Sequence, residues 1–141
     1  MLLAHEFPGS TNDVDAVPVN ASFDEIKAIA EEIAKVLKID HDWLNPHFQS
    51  FTIYLPSNAT SRMTRVYSGR RLVVDSLGAE DILIMKLMAG RSKDYAHIVH
   101  LIRRGVDMSV VEDRLNELVE SNMYKDLAEK ALDLLYSLTE E

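Results

Sequence analysis

The chain has 141 residues, 47% of them hydrophobic and 27% charged, with no cysteine and a net charge of −8. That length supports one domain with a real core, and the missing cysteine excludes disulfides, thiolate metal sites and a cysteine nucleophile. No apolar run is long enough to span a bilayer, and the first residues lack a basic and then apolar leader. A single cytoplasmic domain over 1–141, with no membrane partner, is the expectation.

Residues 11–19, TNDVDAVPV, read as a short strand ending at Pro18. Residues 22–39 read as a helix. Ser22 caps it with Glu25 three residues on, and Ile26, Ile29, Ala30, Ile33, Val36 and Leu37 fall on one face. A loop broken at Pro46 follows, then FTIYL (51–55) as a strand closed by the turn-rich PSNATS. RMTRVY (62–67) and RRLVVDSL (70–77) form a hairpin turning through Ser68 and Gly69.

After Gly78 the pattern becomes helical. Residues 79–89, AEDILIMKLMA, carry acids in the first turn and an apolar body that includes Met85 and Met88, the signature of a buried helix. KDYAHIVHLIRR (93–104) is a helix capped by Ser92 and stopped at Gly105. Ser109 with Glu112 opens the next, over 110–121, and Asn122 separates it from an amphipathic helix over 124–138. Strands first and helices after make an α+β chain, with 1–78 mainly sheet plus one long helix and 79–141 helical.

Charge is uneven along this order. Residues 61–106 carry 9 basic and 4 acidic groups, whereas 1–60 carry 3 and 9, and 107–141 carry 3 and 10. A basic middle between acidic ends argues against broad coating of nucleic acid and permits a local anion site.

Four groups of residues bear on chemistry. On a strand, Asp13 and Asp15 share a face, where two carboxylates suit a hard cation such as Mg²⁺; the alternative is an exposed acidic turn led by Asn12. Lys86 interrupts an apolar surface, so it either snorkels to water or meets an anion such as a nucleotide phosphate, helped by Arg91. Asp75 ends the β-branched run LVVD, either as a third ligand or general base or as the start of a turn. His97 and His100 lie three apart on one helix; with no third ligand at metal spacing they read as a packed or solvent-edge pair.

Together these segments resemble a known family. GSTNDVDAV resembles the metal-binding strand of the nucleotidyltransferase superfamily. LVVDSLGAEDILIMKLMAGRSKDYAHIVHLIRRG resembles a later segment of its uncharacterised, toxin–antitoxin-associated branch, with Lys86, Leu87, Ala89, Arg91, Lys93 and Asp94 in place. The resemblance implies a small mixed β-sheet with flanking helices and a helical C-terminal half. It also implies transfer of a nucleoside monophosphate from a nucleoside triphosphate to a hydroxyl or similar acceptor. Asp13 and Asp15 would hold Mg²⁺, Lys86, Arg91 and Ser10 would contact the nucleotide, and Asp94 or Asp75 would act as base.

There are departures from the family pattern. The upstream Gly-Gly or Gly-Ser helix that cradles phosphates in the family is not at its usual spacing. Gly9 stands where an arginine is expected, and His97 where a last aspartate is. With the phosphate motif incomplete, the alternative is a catalytically inactive relative acting as a protein-interaction module, for example in a toxin–antitoxin pair. Its acidic C-terminal helices, with Leu115, Leu118, Leu127, Leu132 and Leu135, would face a basic partner unless those leucines are core. RNA as acceptor, contacted through Arg62, Arg65, Arg70 and Arg71, is a further expectation.

Overall fold

A computed structural model describes residues 13–45 and 47–140. The chain is α+β, with five α-helices and two small sheets among these residues. It divides into two compact units, whose described parts are residues 13–53 and 54–140. No helix among the described residues is long and apolar enough to cross a membrane.

In the first unit, strands β1 (Val14–Asp15) and β2 (Leu44–Asn45) pair in parallel around helix α1 (Phe23–Leu37). The expected capping box is present: the Ser22 hydroxyl accepts from the Glu25 amide at 3.2 Å, and the Glu25 carboxylate accepts from the Ser22 amide at 3.0 Å. The indole of Trp43 donates to the Ala30 carbonyl at 2.9 Å, tying the approach to β2 onto the helix. Of the apolar face read from the sequence, Ala30 is buried together with Ala34, while Ile29, Ile33, Val36 and Leu37 are exposed.

Residues 51–55, read as a strand, differ. The chain forms a 3-10 helix over His47–Tyr54. At its end Arg114 donates from Nε to the Tyr54 carbonyl at 2.7 Å and from Nη2 to the Leu55 carbonyl at 3.2 Å, so these two backbone groups are satisfied by a side chain. The Tyr54 ring packs edge-on against Tyr124 at 5.2 Å, on the helical core.

The second unit begins with a 3-10 turn at Ala59–Arg62 and the expected hairpin, β3 (Thr64–Ser68) antiparallel to β4 (Val73–Ser76), with an irregularity between Arg65 and Tyr67. Helix α2 (Ala79–Ala89) follows, and its Leu83, Ile84, Met85, Leu87 and Met88 are all buried. A helix apolar on every side has no stable place at a surface. Helices α3 (Tyr95–Arg103), α4 (Met108–Glu120) and α5 (Lys125–Thr139) pack against α2 and enclose it. Ile98, Leu101, Val111, Leu115 and Leu135 complete the core.

Helix ends follow the sequence except at two caps. Gly105 (φ 80°) ends α3 and Asn122 (φ 57°) separates α4 from α5, both in the left-handed region these residues tolerate best. Ser92 opens a 3-10 turn, Ser92–Asp94, rather than capping α3. Asp107, not Ser109, caps α4, accepting from the Ser109 amide at 3.0 Å and its hydroxyl at 2.6 Å. Asp107 has the extended backbone of a cap, and Ser109 already lies inside the helix.

Leu115 is fully buried in the core. Leu115→Ala is expected to destabilise the fold by about 2–5 kcal/mol, measured as a lower midpoint in urea followed by circular dichroism.

Candidate functional site

The first group of site residues lies in the 13–53 unit. The Val14 amide donates to the Trp43 carbonyl at 2.6 Å and the Ala16 amide to the Asn45 carbonyl at 3.2 Å, which sets Asp15 beside Asn45. The Asn45 side-chain amide then donates to Asp15 Oδ1 at 2.8 Å. A neutral amide orients the carboxylate without cancelling its charge, the kind of support that ligand carboxylates use. Asp13, on the other side of Val14, is exposed like Asp15. Two water-accessible carboxylates with hard oxygen donors fit Mg²⁺, which takes one or two protein carboxylates and keeps several waters. Ser10 lies outside the described residues.

Asn45 was not singled out from the sequence. A lone asparagine before Pro46 carries no signal of its own, and only the pairing of two segments thirty residues apart brings it to Asp15.

The second group lies in the 54–140 unit, where the chain reverses after α2. Gly90, at φ 59°, donates to the Lys86 and Leu87 carbonyls and ends the helix. The 3-10 turn that follows returns Asp94 to Lys86. Lys86 Nζ sits 2.6 Å from Asp94 Oδ1, Arg91 Nε sits 2.7 Å from Oδ2, and His97 Nδ1 is 3.8 Å from Oδ1. The Asp94 side chain is only 6% exposed, so neither earlier reading of Lys86 is complete: it meets an anion, and the anion is Asp94. Burial pushes the Asp94 carboxyl up, but the hydrogen bonds and charges of Lys86 and Arg91 outweigh it, and the net shift is downward. His97 is shifted downward by burial, then by the Lys86 and His100 charges, against the opposing pull of Asp94.

Asp75 and Arg65 face each other across the hairpin and form a two-point ion pair. Hydrogen bonding to Arg65 holds the Asp75 carboxyl below its ordinary value, and both groups are exposed. Arg62 is bound elsewhere. Its Nε and Nη2 reach the two oxygens of fully buried Asp81 at 3.0 and 2.6 Å, joining the turn before β3 to the start of α2. Gly78 is needed beside this pair, because a Cβ there would come within 2.9 Å of the Arg62 Cβ.

The structure therefore brings Lys86, Arg91 and Asp94 together, places Asp75 with Arg65 on the hairpin, and holds Asp13 and Asp15 in the other unit. Asp40, His41 and Asp42 also lie within ligand reach of one another, all exposed. Of the leucines expected to face a partner, Leu115, Leu118 and Leu135 are buried, Leu132 packs on the core, and Leu127 is exposed. That seam closes mainly on the chain's own core.

Compared with known families, residues 1–140 match the family described as "Nucleotidyltransferase of unknown function (DUF6036)". No curated protein matches the chain. No solved structure matches it either.

Removing the Asp94 charge leaves Lys86 and Arg91 facing each other without it. Asp94→Asn is expected to cost about 2–3 kcal/mol, below the roughly 3–5 kcal/mol of a fully enclosed pair because both cations reach water. A carboxyl lowered on folding contributes stability above its unfolded value of about 3.9, and that contribution is lost as pH falls through the folded value. His97, also lowered, adds a loss that begins below about 6.5. Urea titrations across pH should therefore show native stability declining toward acid, with a shallower decline below pH about 4 in Asp94→Asn.

Proposed function

The chain belongs to a nucleotidyltransferase family of unknown function, and on that premise we propose that it transfers a nucleoside monophosphate from a nucleoside triphosphate to a hydroxyl-bearing acceptor. The observation that carries this reading is the Asp13–Val14–Asp15 segment, with both carboxylates exposed and Asp15 oriented by Asn45. Asp13 and Asp15 would hold Mg²⁺. Bound there, the ion supplies charge neutralisation for the nucleotide's phosphates.

The remaining roles belong to the chain's own groups. Asn45 holds one oxygen of Asp15, so the carboxylate keeps one orientation. Lys86 and Arg91 form a separate group within the 54–140 unit, two cations of the kind phosphates bind, a point charge and a planar fork. Asp94 is the positioning residue for both, since each of its oxygens already engages one of them. That engagement, with its lowered carboxyl, makes Asp94 a poor proton acceptor. Asp75, whose carboxyl Arg65 also holds below its ordinary value, is the base candidate that this reading favours over Asp94, because its ion pair is exposed and water competes for it.

Calorimetric titration of the native chain with each nucleoside triphosphate and Mg²⁺ tests the reading. Native protein is expected to bind at least one of the four, and Asp13→Ala/Asp15→Ala to lose about tenfold or more in affinity. Asn45→Ala should lose about fivefold, the equivalent of one hydrogen bond. A native chain that binds no nucleoside triphosphate, or a double variant that binds as well as the native chain, would overturn it.

A further inference from the structure

The turn of the β3–β4 hairpin carries a chemistry that the site above does not use. Arg62 and Arg65, from the same basic stretch, are committed to Asp81 and Asp75. Arg70 and Arg71 are exposed at the tip, and among the described residues neither has an ion-pair or hydrogen-bond partner. The turn is closed by the Gly69 amide donating to the Leu72 carbonyl at 2.8 Å. Tyr67, 54% exposed, lies across it: a Cβ at Gly69 would stand 2.6 Å from the tyrosine oxygen and 2.8 Å from a ring carbon. Glycine thus allows the ring to rest on the same turn that carries Arg70 and Arg71.

We propose that this tip, through Tyr67, Arg70 and Arg71, is a contact site for single-stranded RNA. Two exposed arginines at successive positions can meet phosphates of one strand, and a half-exposed aromatic ring offers a stacking surface for one base. A duplex keeps its bases stacked inside and gives such a ring nothing to meet, whereas a single strand presents them. The Tyr67 and Ser68 hydroxyls in the same turn can exchange hydrogen bonds with a ribose 2′-hydroxyl, the group that separates RNA from DNA. The chain's net charge of −8 disfavours broad coating by a polyanion, which leaves local basic sites such as the tip to carry the contact. Naming this RNA as the acceptor rests on the transfer reaction proposed above; the contact itself does not.

The test is fluorescence anisotropy with a labelled single-stranded RNA of about 12 nucleotides, without nucleotide or Mg²⁺, across about 50–200 mM salt. Arg70→Ala/Arg71→Ala is expected to weaken binding about tenfold at low salt and to reduce the slope of log affinity against log salt by about 1.4. Tyr67→Ala should weaken it about tenfold with the slope unchanged, and Gly69→Ala, which displaces the ring, should act in the same direction. Lys130→Ala, an exposed cation on α5, should bind as the native chain does. Circular dichroism of each variant reports that the fold is kept.

Absence of RNA binding by the native chain, or native affinity in the Arg70→Ala/Arg71→Ala variant, would overturn the proposal. Equal binding of a DNA strand of the same sequence would overturn the assignment to RNA. Because no nucleoside triphosphate is present, failure here is distinguishable from failure of the Asp13 and Asp15 site.

Discussion

Helix α2 is the constraint on which the 54–140 unit depends. Its body is apolar on every side, so water must be excluded from all of it, and α3, α4 and α5 close around it. What remains polar is at its two ends. Asp81 in its first turn and Lys86 in its last each find one strong partner, Arg62 and Asp94. Both partners come from segments that the helix does not itself contain. The signs agree with the helix dipole, acid at the start and base at the end. Burying the helix therefore draws in the turn before the hairpin at one end and the reversal into α3 at the other.

These ion pairs are better understood as positional devices than as sources of stability. Desolvating a charge opposes much of the Coulombic gain, whereas deleting one partner strands the other. Asp94 illustrates the consequence: its two oxygens engage two cations, so the direction of Lys86 and Arg91 is determined by one buried carboxylate. The aspartates of the other unit have a different environment. Asp15 is oriented by a neutral amide and keeps its charge toward water. The same residue type is thus held by two cations in one place and by a neutral side-chain amide in the other.

The hairpin shows the same separation on a smaller scale. Four arginines lie within ten residues of sequence, and their spacing alone makes them one basic patch. Pairing divides them. Arg62 and Arg65 are held by Asp81 and Asp75, whereas Arg70 and Arg71, in the same turn as Gly69, have no ion-pair partner among the described residues. Charge available to a partner is what remains after internal pairing, and a count along the sequence does not reveal it.

The sequence by itself determined much of what depends on neighbours a few residues apart, the caps at Ser92 and Ser109 excepted. The Ser22–Glu25 capping box, the apolar body of α2, the stop at Gly105 and the break at Asn122 are local events, governed by backbone preference and helical period. The hairpin was legible for the same reason. Tertiary structure decided the remainder. FTIYL has the composition of a strand, yet the chain there is a 3-10 helix, at whose end the Tyr54 and Leu55 carbonyls are met by Arg114, about sixty residues away. Asp94 does not cap α3 with its side chain, because that carboxylate is engaged by Lys86 and Arg91. Asn45 acquires a role only by lying beside Asp15, and Arg62 loses its place in a basic patch only by meeting Asp81. In each case the local pattern states which groups need partners, and only the folded chain brings distant groups close enough to supply them.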